Sequence, residues 1–185
     1  MATTTTSPAS TQTWKLDPAH SSAEFKVKHM MISNVKGSFN GLAGTLVENT
    51  SDPTRSTVEA TIDVSTVSTG DAARDTHLKS GDFFETEKYP HMTFRSTGVE
   101  KRGEGDYRVT GDLTLHGATH PVVFAVEGPT APGQDPWGNT RIGLSATTKI
   151  NRKDFGLTWN AALETGGILV GEDVQITIDA QFLKS

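Results

Sequence analysis

The sequence predicts an all-β protein, a single eight-stranded antiparallel barrel with one short helix, and three observations predict it. Eight segments alternate apolar and polar residues with a period of two. One segment, about 71–80, reads as helix, between the third and fourth strands. Beyond that helix nothing is available to cover the apolar side of the strands, so the sheet has to cover itself. Closure into a barrel does this and removes the edge strands. A two-sheet sandwich satisfies the same alternation; the meander-like succession of long strands favours the barrel.

The segments follow in order. From Trp14 onward, Ala23, Phe25, Val27 and His29 share a face opposite Ser22, Glu24, Lys26 and Lys28. In the second strand Val35, Gly37 and Phe39 are followed by Leu42, Gly44 and Leu46, a step of three that a β-bulge at Asn40-Gly41 absorbs. The third strand carries Val58, Ala60, Ile62 and Val64. The fourth starts at Pro90 and carries Met92 and Phe94. The fifth carries Tyr107, Val109, Gly111, Leu113 and Leu115, and a turn at Gly117 leads into Val122, Phe124 and Val126. Ile142 to Ile150 and Val174 to Phe182 complete the set. Thr69 or Asp71 caps the helix and Gly81 stops it. The stretch from Phe155 to Gly171 reads as an irregular, glycine-rich crossover.

The chain has 185 residues, the size of one domain. We divide it into a disordered tail, 1–12, and a single barrel domain, 13–185. The tail is rich in Thr, Ser and Ala and too poor in apolar groups to offset ~1–2 kcal/mol of backbone ordering per residue. The formal charge of −5 and the lack of a Lys/Arg run argue against nucleic acid as a partner. No apolar stretch is long enough for a transmembrane helix. The start lacks the basic and apolar regions of a secretory signal, so the expected location is the cytoplasm.

Zero cysteines exclude disulfides, thiol catalysis and Cys-based zinc sites. No metal site is expected from the histidines: His116 and His120 are four apart but flank a turn instead of sharing a helix face. The sequence has no Gly-x-Ser-x-Gly elbow and no phosphate-binding loop, so no catalytic residue is assigned.

Eight strands enclose an interior that side chains just fill, or that holds one small ligand if they do not. Several inward positions are small, namely Ala23, Gly37, Gly44, Ala60, Gly111, Ala146 and Ala180. Ordinary large-small interdigitation explains them equally well. If the space is open it is long and narrow. It then suits a chain-like apolar molecule, since each buried CH₂ is worth ~0.8 kcal/mol and needs no directional partner. Gly111→Leu is accordingly expected to weaken uptake of an apolar probe more than it lowers stability.

Four blocks also carry a resemblance. Asp17-Pro18-Ala19-His20-Ser21 with Phe25 to His29 and Val35 to Phe39, then Arg74 to Phe84 with Lys88-Tyr89-Pro90, Gly111 to Gly117, and Asn151 to Gly156 resemble, in the same order, the blocks of the YceI-like family. The resemblance covers about residues 14–184. It implies an extended lipocalin-like barrel with a helix packed at one end, an elongated pocket for polyisoprenoids or similar amphiphiles, and often a homodimer. Many similar proteins are periplasmic and carry a leader, and the start of this sequence is not expected to be one.

The expected function is therefore non-enzymatic binding, storage or transport of a polyisoprenoid, isoprenoid quinone or fatty-acid-like lipid, with no cofactor beyond that cargo. The alternatives are an enzyme acting on bound lipid, with His29 as its base, and a ligand-free, stress-linked module with a filled core. Candidate lining residues are Phe25, Val27, His29, Phe39, Leu42, Leu46, Ile62, Phe94, Leu113, Leu115, Leu144, Phe155 and Trp159. Phe83 and Phe84 are expected to plug the barrel end and touch the ligand. A polar head needs donors near the opening, and Arg74, His77, Lys79 and Arg152 join His29 as suppliers. Pairing of Arg74 with Asp75 or Asp82, and of Arg152 with Asp154, is the structural alternative for those two.

Overall fold

In the computed structural model, which describes residues 10–185, the period-two segments are strands and the strands close on themselves. In chain order they are β1 (Thr11–Leu16), β2 (Ser22–His29), β3 (Ser33–Phe39), β4 (Gly41–Asn49), β5 (Thr57–Asp63), β6 (His91–Gly103), β7 (Asp106–Leu115), β8 (Ala118–Glu127), β9 (Gly133–Gln134), β10 (Thr140–Asn151) and β11 (Val170–Lys184). The ladder β11-β1-β4-β5-β6-β7-β8-β10 returns to β11, and every pairing in it is antiparallel. That is a closed barrel of eight strands.

Two of the eight barrel strands are interrupted, and the interruptions have local causes. β1 and β2 lie end to end along one edge of β11, with Leu16 opposite Phe182 and Ser22 opposite Asp179. Between them Pro18 cannot donate to a ladder, and Asp17 accepts from Ala19 N at 3.0 Å to cap a single 3₁₀ turn. β3 and β4 are likewise one strand broken at Asn40, where the expected bulge brings Phe39 and Leu42 both inward. The displaced amides of Asn40 and Gly41 both donate to Thr66 Oγ1 at 3.1 Å, so the bulge leaves no donor stranded.

β1 starts at Thr11 and pairs with β4, so strand structure reaches two residues into the segment expected to be a tail. The rest of that expectation, residues 1–9, lies outside the described residues. Tail composition is weak in apolar groups, but the backbone of Thr11 and Gln12 completes the ladder opposite Asn49 and Glu48.

The helix α1 (Ala72–Lys79) matches the expected segment, with Asp71 accepting from Arg74 N at 2.9 Å. Its position follows from a gap in the sheet. β5 ends at Asp63 opposite Gly41, so β3 has no strand on its outer edge and makes only the single bridge Ser38 to Ser68 there. α1 and residues 80–90 cover this gap, and Phe84 packs edge-on against Phe39 with ring centroids 5.9 Å apart.

Burial is divided among three clusters instead of one continuous core. One surrounds Leu113, Leu115, Phe155 and Leu157; a second surrounds Trp14, Ile142 and Phe182; a third surrounds Phe39, Leu42, Val64 and Val67. The barrel axis between them is left unfilled.

Candidate functional site

The interior contains two apolar chambers, of about 210 Å³ and 390 Å³. They meet at four side chains, Ile62, Met92, Ile176 and Ile178, which line both. Together they make an elongated, tunnel-shaped interior in which these four side chains are the waist between two halves. β11 runs its whole length: Val174 lines the first chamber, Ile176 and Ile178 the waist, Ala180 and Phe182 the second chamber. From Val174 to Phe182 there are eight steps along the strand, which at ~3.3 Å each give a length of about 26 Å.

The first chamber lies under α1. Phe25, Val27 and His29 from β2, Phe39 from β3 and Leu115 from β7 line it. So do Phe83, Phe84, Trp159, Arg74, His77 and the stem of Arg152. Phe83 and Trp159 meet at 5.3 Å between ring centroids, and the His77 ring stands edge-on to both, at 5.1 Å and 4.8 Å. Two of these rings come from α1 and the segment directly after it, and the third, Trp159, from the crossover, distant in sequence. The second chamber takes Leu42 and Leu46 from β4, Phe94 from β6, Leu113 from β7 and Leu144 from β10.

Two candidates stand elsewhere. Phe155 lies outside both chambers: its ring is fully buried in the wall cluster, where His120 packs edge-on at 5.2 Å and its carbonyl oxygen lies 3.0 Å from His116 Nδ1. A residue that ends a 3₁₀ turn carries no strand alternation to say which way it points. Lys79, in the last turn of α1, is also outside the lining.

The polar candidates divide by what already engages them. Arg152 is 3% exposed, and its guanidinium donates to four carbonyls: Leu157 at 2.6 Å, Gly171 at 2.8 Å, Trp159 at 2.9 Å and Val170 at 3.2 Å. Burial holds its pKa below the ordinary value for arginine, with the Glu172 charge opposing. It is the staple of the crossover, and the expected partner, Asp154, is not among those it bonds. Arg74 donates through Nε to Thr69 Oγ1 at 2.8 Å and through Nη2 to Thr69 O at 3.1 Å. Asp75 reaches the same residue, accepting from Thr69 Oγ1 at 2.6 Å, so Thr69 takes the place of the expected Arg74-Asp75 contact. His77 Nε2 lies 2.8 Å from Asp82 Oδ2. His29 makes no side-chain hydrogen bond among the described residues and faces the first chamber.

The small inward residues also divide. Ala60, Ala146 and Ala180 border the second chamber and Ala23 the first. The glycines do not open space: a Cβ on Gly37 would lie 2.2 Å from Phe25 Cζ, and one on Gly111 would lie 2.4 Å from Phe94 Cζ. Both tunnel and interdigitation are therefore present, at different positions. Sequence reasoning left Met92, Ile176 and Ile178 out of the site, although strand alternation placed all three inward. Leu157 and Leu169, which were not expected, reach the lining from the irregular crossover, where no periodicity exists to report them, and the expected Trp159 reaches it from the same segment.

A closed eight-stranded barrel around an elongated apolar tunnel belongs to the lipocalin-like class of architecture. The YceI-like domain model matches residues 14–182, and the chain belongs to that family. The UPF0312 protein SA2479 of Staphylococcus aureus (strain N315) is 40% identical over 166 residues, which is 90% of this chain and 94% of that protein. The Campylobacter jejuni YCEI protein superposes with a TM-score of 0.71 at 30% identity, over 86% of this chain and 91% of its own. Two more distant structures share the fold. Burkholderia cenocepacia BcnA has a TM-score of 0.76 at 23% identity, over 90% of this chain and 98% of its own. A polyisoprenoid binding domain from Saccharophagus degradans has a TM-score of 0.66 at 20% identity, over 93% and 98%.

Proposed function

We propose that this protein binds the apolar chain of a long amphiphile in its tunnel and shields it from water without chemically altering it. The cargo class is a polyisoprenoid, an isoprenoid quinone or a fatty-acid-like lipid, and no other cofactor is needed. The observation that carries the reading is the junction of the two chambers at Ile62, Met92, Ile176 and Ile178. A compact ligand would fill one chamber, whereas an extended chain fills both and gains burial along the whole axis at ~0.8 kcal/mol per CH₂. The polyisoprenoid-binding description of the Saccharophagus degradans domain, which shares the fold, is consistent with this choice.

The head group sits at the α1 end. Arg152, Arg74 and His77 are engaged with the protein's own oxygens, so His29, which makes no side-chain hydrogen bond among the described residues, is the donor we assign to it. It lines a largely apolar wall, which suits a molecule with one polar end.

The test is solvent extraction of the purified protein, followed by mass spectrometry and by re-uptake of the extracted compound. A long-chain compound at one per protein, taken up again by the emptied barrel, is the expected result. An empty extract together with no uptake of long-chain fatty or isoprenoid probes would overturn the proposal. Chemical change of the recovered compound on incubation, abolished by His29→Ala, would replace the carrier with an enzyme.

A further inference from the structure

The hairpin joining β2 to β3 ends in three exposed apolar residues, Met30, Met31 and Ile32, at 44%, 60% and 81% exposure. Their conformation makes the exposure harder to dismiss. Ile32 N donates to His29 O at 3.2 Å, and both central residues of this turn have positive φ, 52° at Met30 and 61° at Met31. Positive φ at both central residues of a β-turn favours Asn-Gly, because a side chain larger than Asn is strained there. This turn carries two methionines instead. Part of the tip is used within the protein, since Met30 N donates to Leu169 O at 2.7 Å and the Met31 sulfur rests over Gly167 of the crossover, but Ile32 projects free of it.

The flanking strands supply charge. Lys26 and Lys36 stand directly opposite each other in the β2-β3 ladder, and Lys28 follows on the same outer face. Like charges opposite one another in a ladder repel, and an anionic surface relieves that repulsion. Acidic groups lie at this end too: Glu24 and Asp173 on the strands, Glu164 in the crossover, Asp71 and Asp75 at the helix, Asp82, Glu85 and Glu87 after it, Asp154 after β10, and Glu172, which is paired to Lys153 at 2.6 Å. The acidic residues of the β6-β7 turn, Glu104 and Asp106, are at the opposite end of the barrel, several screening lengths of ~8 Å away at physiological salt. The outer face of the hairpin itself carries three lysines, Lys26, Lys28 and Lys36, against one acid, Glu24, so this face is cationic although the whole chain has a net charge of −5.

We propose that the Met30-Met31-Ile32 tip is a docking element for an anionic lipid bilayer, inserting its three side chains among the acyl chains while Lys26, Lys28 and Lys36 meet the head groups. His29, next to the tip, lines the first chamber, so docking puts the tunnel's mouth at the membrane. The inference goes beyond lipid carriage and is read without any tunnel ligand.

Flotation with vesicles tests it, using phosphatidylcholine alone and with 30% phosphatidylglycerol (on the order of a bacterial anionic content, enough to attract basic segments). The protein is expected to float with the anionic vesicles, less so as salt rises. Ile32→Asn should lower the partition coefficient about tenfold, the scale of removing one large apolar group from an apolar phase. Met30→Asn with Met31→Gly should lower it further while raising the unfolding temperature, a combination that a merely structural turn would not produce. No binding to anionic vesicles, or equal binding by the variants, would overturn the proposal. A wild-type dimer in sedimentation velocity that Ile32→Asn dissociates would overturn it as well, by giving the tip to a second copy of the chain.

Discussion

The ring of Phe94 lies over Gly111 and occupies the space a side chain there would need: an added Cβ would sit 2.4 Å from Phe94 Cζ and 2.5 Å from the Arg95 carbonyl oxygen. The ring can turn aside; the backbone oxygen cannot. Gly111 is thus a packing position, and the expectation that bulk at this site enters the tunnel does not hold.

Gly111→Leu should lower the free energy of unfolding by about 1–3 kcal/mol or more, as overpacking does. Ala60 borders the second chamber, and Ala60→Leu should put its bulk into the tunnel. Denaturant midpoints and apolar-probe uptake, measured on both variants, check the contrast: stability falls most in the first, uptake most in the second.

Met92→Trp should close the waist. In the wild-type protein affinity is expected to rise with probe chain length until both chambers are filled, at ~0.8 kcal/mol per CH₂. In the variant the rise should stop at chains that fill the first chamber. A series of fatty acids of increasing length, titrated calorimetrically, reads the break point.

Arg152→Met keeps the apolar stem and removes the donors shared by Leu157, Trp159, Val170 and Gly171. Buried acceptors left unpaired cost ~1–3 kcal/mol each, partly recovered by water, so a loss on the order of 3 kcal/mol is expected. Amide exchange should accelerate across residues 157–170. Unchanged stability with weakened ligand binding would instead return Arg152 to the head group.

Arg141 links two carboxylates. It bonds Asp17, which also lies 2.8 Å from His20 Nδ1, and donates to Asp135 at 2.7 Å through Nε. The Arg141 hydrogen bond first, then His20, hold the Asp17 carboxyl at about 2 against an ordinary 3.8. Burial pushes Asp135 up, but bonds from Arg141, Asn139 and Trp137 N outweigh it and bring it to about 2. Folded-state pKa values below the unfolded ones mean stabilisation that is complete above pH ~4 and lost as pH falls towards 2. Arg141→Gln should move the acid-unfolding midpoint, followed by circular dichroism, to higher pH and cost more stability at pH 7, where both carboxylates are fully ionised, than at pH 3, where part of their contribution is already lost.

The order of strands, the bulge at Asn40, the helix cap at Asp71 and the inward faces could all be read from the chain alone. Each depends on neighbours within a few residues: a period of two, a step of three between Phe39 and Leu42, a carboxylate before an amide. Family membership was legible for the same reason, in four short blocks.

Where the interior is empty was not legible. Gly37 and Gly111 looked like vacancies and are covered by Phe25 and Phe94. The waist depends on Ile62, Met92, Ile176 and Ile178 arriving together from three strands. Arg152 reads as a free cation until the crossover folds its carbonyls around it. Alternation tells which side of a sheet a residue is on, because that is a property of one strand; the volume left over is set by the sum of side chains from opposite walls, and only the closed barrel brings those walls face to face.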